Sequence, residues 1–354
     1  MDQASFQSRP TAATTVDVAI VGAGPIGLEV AVELQRRGMS TLNLDRGPLG
    51  AQIVAFPPRT RWFSGPERIG IAGVPLETVD QEKATREDYL AYLRGVVRQF
   101  GLPVRTFETV RRITDRGEGF ALETVTLGGL VRDVHASRVV LAVGGTARHR
   151  RLDCPGEDLP HVRRELDDAH WGFGRRVLIV GGRNSAADAA IKLWRAGAQV
   201  TISYRGDGIY PRIKYWIRPE LESCIRSGLI EARFGTEPVR IQEDVVELRH
   251  LGDGRTERLP VDDVLLQIGF DADGSLFESL GCEVEGETRA VVHDPNTMET
   301  SIPGIFVAGT ATAGTQGSFK VYIENSHIHA QRIAAHLAGE PVPGDPVLPE
   351  LPEA

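Results

Sequence analysis

Cysteine is scarce in this chain of 354 residues: Cys154, Cys224 and Cys282 are an odd, widely spaced set. With no CxxC pair they offer neither a disulfide framework nor a cysteine-built metal site, and such usage suits a reducing cytosol. Long apolar runs are missing too. None approaches the ~18 residues of a bilayer span, so no membrane role is expected. Residues 1–15 lack the apolar centre of a signal peptide and read as a polar, mobile tail. There is no basic stripe either: net charge is −8, and Lys and Arg are scattered, which argues against nucleic acid and against an anionic membrane surface. What remains is a globular composition and a length sufficient for two domains, each with its own core.

The most informative stretch is Val16 to Asp45, VDVAIVGAGPIGLEVAVELQRRGMSTLNLD. An apolar β-branched run, Val18 to Val21, ends in Gly22-Ala23-Gly24-Pro25-Ile26-Gly27. The spacing predicts a helix with Ile26, Val30 and Leu34 on one face and Gly38 as its stop, then a strand over Thr41 to Leu44. This is a dinucleotide fingerprint: Gly22 for the tight turn, Gly24 for close approach of a pyrophosphate to the backbone, Gly27 for helix–strand packing. Asp45, 23 residues after Gly22, stands where a carboxylate binds the adenosine ribose.

A loop-rich stretch follows, Arg46 to Pro75, with Gln52, Trp62, Phe63 and Ser64 set in it, and its aromatic content predicts order. A helix is expected over Glu87 to Phe100 with Gly101 as its stop, then an antiparallel meander from Val104 to Val140, and a buried strand, Val139 to Val143, ending at Gly144-Gly145. The design then repeats. Strand, Gly181-Gly182-Arg183-Asn184-Ser185, helix, Gly197 and second strand come in the first unit's register, each helix-stop glycine lying 16 residues after the first fingerprint glycine. The fold class is therefore α/β, with two Rossmann-like dinucleotide-binding domains, the second inserted into the first. The boundaries expected are 16–153 and 270–340 for the first domain and 154–269 for the inserted one. Near the end, a strand over Ile302 to Val307 stops at Gly309-Thr310, a helix runs from about Phe319 to Leu337, and a Pro-rich tail fills 341–354.

The two units differ where cofactor choice is made. Counting 23 from Gly181 gives Tyr204, followed at once by Arg205. The ribose acid is missing, and an arginine suits a 2′-phosphate: a charged hydrogen bond of about 1.5–3 kcal/mol is roughly a 10- to 150-fold preference for NADPH over NADH. Arg212 and Lys214 either add positive charge there or are solvated surface cations. Arg183 replaces the middle glycine, which alters that site without removing it. NADPH is thus expected on Gly181, Gly182, Arg183, Asn184, Ser185, Tyr204 and Arg205. The first unit keeps its acid, and Gly144-Gly145 and Gly309 converge on the same domain, giving room for the larger FAD. Its contacts are expected at Gly22, Gly24, Pro25, Ile26, Gly27, Asp45, Arg46 and Gln52, and further on at Val110, Gly144, Gly145, Gly309, Thr310 and Lys320.

These motifs resemble the thioredoxin-reductase-like branch of the pyridine nucleotide-disulfide oxidoreductases, and within it the bacillithiol disulfide reductase (YpdA) family. The resemblance rests on VDVAIVGAGPIGLEVA, RWFSGPERIGIAGVP, VLIVGGRNSAADAAIKL with SYRG, YPRIKYWIRPE, and MET-SIPGIFVAG with FKVYIEN. It implies tightly bound FAD, NADPH as donor, a homodimer or homotetramer, and reduction of a low-molecular-weight thiol disulfide in a bacterial cytoplasm. Two positions depart from the expected pattern. The fingerprint cysteine of the YpdA family is replaced by Ile26, and the Asp that usually follows the last glycine in the wider superfamily is replaced by Thr310.

Rotation of the inserted domain about two connections, near Arg151 to Gly156 and Gly269 to Gly274, is what the thioredoxin-reductase likeness implies. Lys320 and Glu324, four apart at the start of the expected last helix, are either a surface ion pair or, through Lys320, a stabiliser of anionic reduced flavin. His327 and His329, two apart, point to different sides of a helix and are no metal pair. Three activities stay open: reduction of a small acceptor, electron transfer to a small redox protein such as ferredoxin or flavodoxin, and monooxygenation or nucleotide sensing.

Overall fold

The computed structural model describes residues 13–317 and 320–345. Its contacts divide the chain into two units, one formed by Met1–Val54, Ser64–Arg148 and Asp271–Ala354, the other by Ala55–Phe63 and His149–Phe270. The chain therefore passes between the units four times rather than twice. The extra excursion is Ala55–Phe63, which follows the first unit's elements in sequence but belongs to the second unit.

In the first unit β1 (Thr14–Val21), α1 (Pro25–Gln35) and β2 (Thr41–Leu44) stand where the fingerprint places them. β1 starts at Thr14, inside the expected tail, because Thr14 and Thr15 pair with Val134 and His135; the rest of that tail, residues 1–12, lies outside the described residues. The meander is β4 (Glu108–Asp115), β5 (Phe120–Thr126) and β6 (Val131–Leu141), preceded by the short β3 (Val104–Arg105). β3 is no part of the meander, since it pairs parallel to β2. The sheet runs β3-β2-β1-β6-β5-β4, and Ile305–Val307 also pairs with β6. The eleven residues of β6 explain how it serves so many neighbours: Val131 to Ala136 pair with β5, and Val139 to Leu141 pair with Ile305–Val307 on the same edge. Strand order reverses beside β1, which is where an open parallel sheet leaves a crevice beyond its carboxyl ends.

α1 is buried nearly all round, from Ile26 to Val32, as a helix covered on several sides must be. The helix expected from about Phe319 begins instead at His327 and runs to Ala338; Phe319 itself lies outside the described residues. Pro-rich residues 341–345 carry no helix or strand, and Arg332 holds them through the Pro343 carbonyl and the Asp345 carboxylate; residues 346–354 lie outside the described residues. The loop after β2 is ordered by helix Arg86–Phe100, whose Tyr89 hydroxyl donates to the Ile69 carbonyl and whose Tyr92 hydroxyl donates to that of Val74. Thr85 and Asp88 form a capping box at that helix's start, and Gly101, with φ +60°, ends it.

The second unit repeats the arrangement with a five-stranded parallel sheet, in the order Ile230–Phe234, Gln199–Tyr204, Arg176–Val180, Asp263–Leu266, Val162–Arg163. Helix Asn184–Arg195 buries Ala186, Ala187, Ala189 and Ala190 on its sheet side, small residues that let it lie close. Three antiparallel strands, Thr236–Ile241, Val245–His250 and Thr256–Pro260, complete the unit. The excursion Ala55–Phe63 is fastened to it by Lys192 Nζ on the Pro58 carbonyl, Lys214 Nζ on the Arg61 carbonyl, and Phe63 stacked on Trp216.

Candidate dinucleotide sites

In the first unit three glycine turns follow three adjacent strands. Gly22 has φ +121°, and a Cβ there would come 2.3 Å from the Ala142 carbonyl oxygen beyond β6. One on Gly27 would come 2.4 Å from the Gly22 carbonyl oxygen. Gly24 differs in kind. Its backbone, φ −83° and ψ −179°, is open to any residue, and a Cβ there would meet nothing within 4 Å. The chain's own packing does not require glycine at this position, and the space left at the N-terminus of α1 is what a pyrophosphate needs. Gly145 comes against Thr310, and Gly309, at φ +70°, comes against Ile26. Gly22, Gly24, Pro25, Ile26, Gly27, Gly144, Gly145, Gly309 and Thr310 are thus brought together.

The expected polar contacts have visible work within the protein. Asp45 accepts from the Ala23 amide through Oδ2 (2.8 Å) and from the Gly47 amide through Oδ1 (2.9 Å), leaving about half of its acceptor capacity. Burial raises its pKa above the usual carboxylate value, more than those two bonds and the charge of Arg46 lower it. Gln52 clamps the Gly144-Gly145 turn, donating to the Val143 carbonyl and accepting from the Thr146 amide and hydroxyl. Arg46 turns to Asp273 and the Ala147 carbonyl. Val110 is in the apolar core of the unit, a cluster that also holds Leu44 and Leu141. Lys320 is exposed and stands before the last helix; its amide donates to Gln316 Oε1. The proposed Lys320–Glu324 helix pair is corrected likewise: Glu324 accepts from the buried Ser64 hydroxyl.

Three residues to which the sequence reading gave no place in this site stand around it. Asn43, fully buried in β2, donates through Nδ2 to the carbonyls of both Gly22 and Gly27, at 3.0 Å each, and so ties the two ends of the fingerprint turn. A polar residue inside TLNL was its signal. His329 accepts the Gly309 amide at Nδ1 (3.1 Å). Two residues away His327 faces elsewhere, as the spacing requires: Nδ1 lies 2.7 Å from Glu29 Oε2 and Nε2 lies 2.9 Å from the Arg68 carbonyl. Both partners are acceptors, so both bonds form only with the imidazolium. Burial works against that charge, but Glu29, the Arg68 carbonyl and Glu324 outweigh it and hold the pKa above the usual histidine value.

A raised folded pKa means stability that is complete below the unfolded value of about 6.5 and lost as pH rises through the folded one. His327→Leu, which leaves the buried Glu29 carboxylate without its cation, is expected to cost about 3 kcal/mol near pH 6. That deficit, measured by urea unfolding, should shrink as pH is raised past the folded pKa. A deficit independent of pH would reject the charged pair.

In the second unit Gly181 mirrors Gly22, with φ +137° and a Cβ position 2.3 Å from the Gln267 carbonyl oxygen. The Tyr204 ring lies between Gly182 and Gly206, where added Cβ atoms would fall 2.2 and 2.5 Å from it. Arg183 is exposed, its guanidinium over the Tyr210 ring at 5.1 Å. Asn184 Oδ1 accepts the Lys214 amide, which pins the loop after Arg205 beside the helix start, and Ser185 is exposed in the first turn. Arg205 is exposed at the end of its strand.

The surroundings of all three thiols favour the protonated form. Burial, then Glu157 and Asp153, pushes Cys154 up to about 11. Cys224 is raised by burial and Glu220, and Cys282 by burial, which outweighs the bond from its thiol to Thr300. Among the described residues no cluster of His, Cys, Asp or Glu could hold a metal, and no helix is long and apolar enough to cross a membrane.

Residues 19–309 match the pyridine nucleotide-disulphide oxidoreductase family. The chain belongs to that family. It is a flavoprotein oxidoreductase with a nicotinamide cofactor, and the turn geometry fits both groups. The bacilliredoxin reductase Bdr of Bacillus subtilis (strain 168) is 33% identical over 321 residues, 90% of this chain and 96% of that protein. The solved bacillithiol disulfide reductase Bdr (YpdA) from Bacillus cereus superposes with a TM-score of 0.87 at 33% identity, covering 92% of this chain and 99% of the other. A ferredoxin–NADP reductase of Ignicoccus hospitalis (strain KIN4/I / DSM 18386 / JCM 14125) is 28% identical over 84% of this chain and 90% of its own length.

Proposed function

We propose that the first unit holds FAD, that the second holds NADPH, and that the reduced flavin delivers electrons directly to a small acceptor without an enzyme thiol. The acceptor class nearest to the relatives is the disulfide of a low-molecular-weight thiol, and a homodimer or homotetramer is the assembly the resemblance implies. When bound, the two cofactors supply the hydride transfer and the onward passage of two electrons. The chain's own residues hold and orient them: the start of α1 at Gly24 receives a pyrophosphate, Asp45 offers its spare lone pairs to a ribose, and Arg205 pairs with a 2′-phosphate.

Ile26 carries the thiol-free part of this reading. A thiol that attacks a disulfide must be a thiolate, and a helix N-terminus is where one is activated. The fingerprint helix presents an isoleucine there, buried against Gly309, and the three cysteines elsewhere have raised pKa values. Changing Cys154, Cys224 and Cys282 together to Ser is expected to leave turnover from NADPH to acceptor within about twofold of the original, since none of the three takes part in the electron path and Ser is close to Cys in size. Loss of turnover in one of the single variants, with flavin reduction by NADPH intact, would mean that a relocated thiol does the chemistry. Electron transfer to ferredoxin is the second reading, supported by the Ignicoccus relative. A panel of oxidised acceptors offered to the NADPH-reduced protein, thiol disulfides beside ferredoxin, separates the two by which one reoxidises the flavin.

A further inference from the structure

His329 is a half-buried titratable group beside the cofactor turns that the reaction itself does not use. It projects from helix His327–Ala338 toward the turn after Ile305–Val307 and takes the Gly309 amide on Nδ1 at 3.1 Å. Gly309 is buried and at φ +70°, and its amide donates to this histidine rather than to a strand. The bond requires a ring neutral at Nδ1, and burial, with His293, Arg332 and His327 nearby, pushes the pKa down to about 4, which keeps the ring neutral at working pH. The same Gly309 meets Ile26 of the fingerprint, and the next residue, Thr310, meets Gly145 of the neighbouring turn. One side chain from the last helix thus fixes the turn on which the other two converge.

We infer that His329 is a positioning residue for the flavin: its Nδ1 acceptor holds the Gly309-Thr310 turn in the conformation that closes the cofactor cradle. The inference rests on FAD occupying the first unit. The residue touches the turn and not the reacting atoms, so its loss acts on cofactor affinity before it acts on chemistry. An unpaired Gly309 amide would seek another acceptor, and the turn would leave the φ +70° conformation that only glycine holds without strain.

The test titrates FAD into apo-protein at pH 7.5 and follows quenching of flavin fluorescence, in the original chain and in three variants. His329→Leu removes the acceptor. His329→Gln keeps size and polarity but carries its amide oxygen to the place of Nε2, away from Gly309. His329→Asn puts an amide oxygen close to Nδ1. Leu and Gln are expected to raise the FAD Kd about tenfold or more, and Asn to stay within about threefold. The melting temperatures of the apo-proteins supply the control, since a merely structural histidine would lower them in all three variants and leave the Kd alone. If Leu and Gln bind FAD as tightly as the original, or Asn as weakly as Leu, the positioning role is wrong while the FAD reading stands. If the original chain takes up no FAD, the FAD reading fails, and this inference with it.

Discussion

Gly24→Val is expected to purify as a folded, colourless protein. Two features of the structure separate folding from cofactor binding at this position. The backbone at Gly24 is extended, φ −83° and ψ −179°, as a residue before proline should be, and a β-branched side chain is at ease there. A Cβ would meet nothing within 4 Å, so stability should change by less than about 0.5 kcal/mol. The isopropyl group would instead fill the approach to the N-terminus of α1. Losing two charge-assisted bonds to a pyrophosphate corresponds to a Kd at least about 100-fold weaker. Gly22→Ala offers the contrast: at φ +121° and 2.3 Å from the Ala142 carbonyl oxygen, the added methyl should cost about 3 kcal/mol or more of folding stability. Visible absorbance after purification and a urea unfolding curve for each variant check the pair. A yellow Gly24→Val protein with a full complement of FAD would show that no dinucleotide crosses the fingerprint at that residue.

How much of this was legible in the sequence follows from how local each determinant is. The run from β1 to β2 is set by glycine spacing, a cap and two apolar strands, all within thirty residues, and its elements stand where they were expected. The helix Arg86–Phe100 was legible for the same reason, its capping box and its stop both being neighbours in sequence. The last helix was misjudged because residues 320–326 are held by side chains that compete with helical bonding. Gln316 Oε1 takes the amides of Lys320 and Val321, while Asn325 takes the Tyr322 amide and donates to the Lys320 carbonyl. Apolar periodicity cannot register such a competition.

The remaining surprises depend on partners distant in sequence. Nothing within Ala55–Phe63 says that its aromatics pack in the second unit, since Trp216 lies more than 150 residues on. Asn43 was more legible than it looked. A side-chain amide in a fully buried strand calls for bonding partners, and its Nδ2 finds them in the Gly22 and Gly27 carbonyls. His327 and His329 could be told apart by their spacing but not by their partners. One faces a carboxylate and the other a backbone amide: the carboxylate raises the pKa of His327 against its burial, while burial and neighbouring cations lower that of His329.

Arg205→Ala is expected to raise the KM for NADPH about 10- to 150-fold and to leave that for NADH within about twofold. The structure bears on how this preference divides among the cations of the loop. Tyr204, at the position of the first unit's ribose acid, lays its ring between Gly182 and Gly206 and offers no carboxylate to a ribose diol. Lys214 is committed elsewhere, its ammonium on the Arg61 carbonyl and over the Trp216 ring at 5.2 Å. Arg183 rests over Tyr210 beside the helix start, where it would meet the pyrophosphate common to both nucleotides. That leaves Arg205 and Arg212, both exposed, as cations able to meet a 2′-phosphate, and Arg205 follows the strand end directly. Arg183→Ala should therefore weaken both nucleotides alike, Arg205→Ala should weaken NADPH alone, and Arg212→Ala should lie between Arg205→Ala and the original chain. Raising the salt concentration should erode the NADPH preference of the original and leave the Arg205→Ala protein nearly indifferent, because the term removed is a screened charge pair. Steady-state KM values for both nucleotides, at low and at high salt, decide the matter. Equal losses for NADPH and NADH in Arg205→Ala would place the 2′-phosphate contact on another residue.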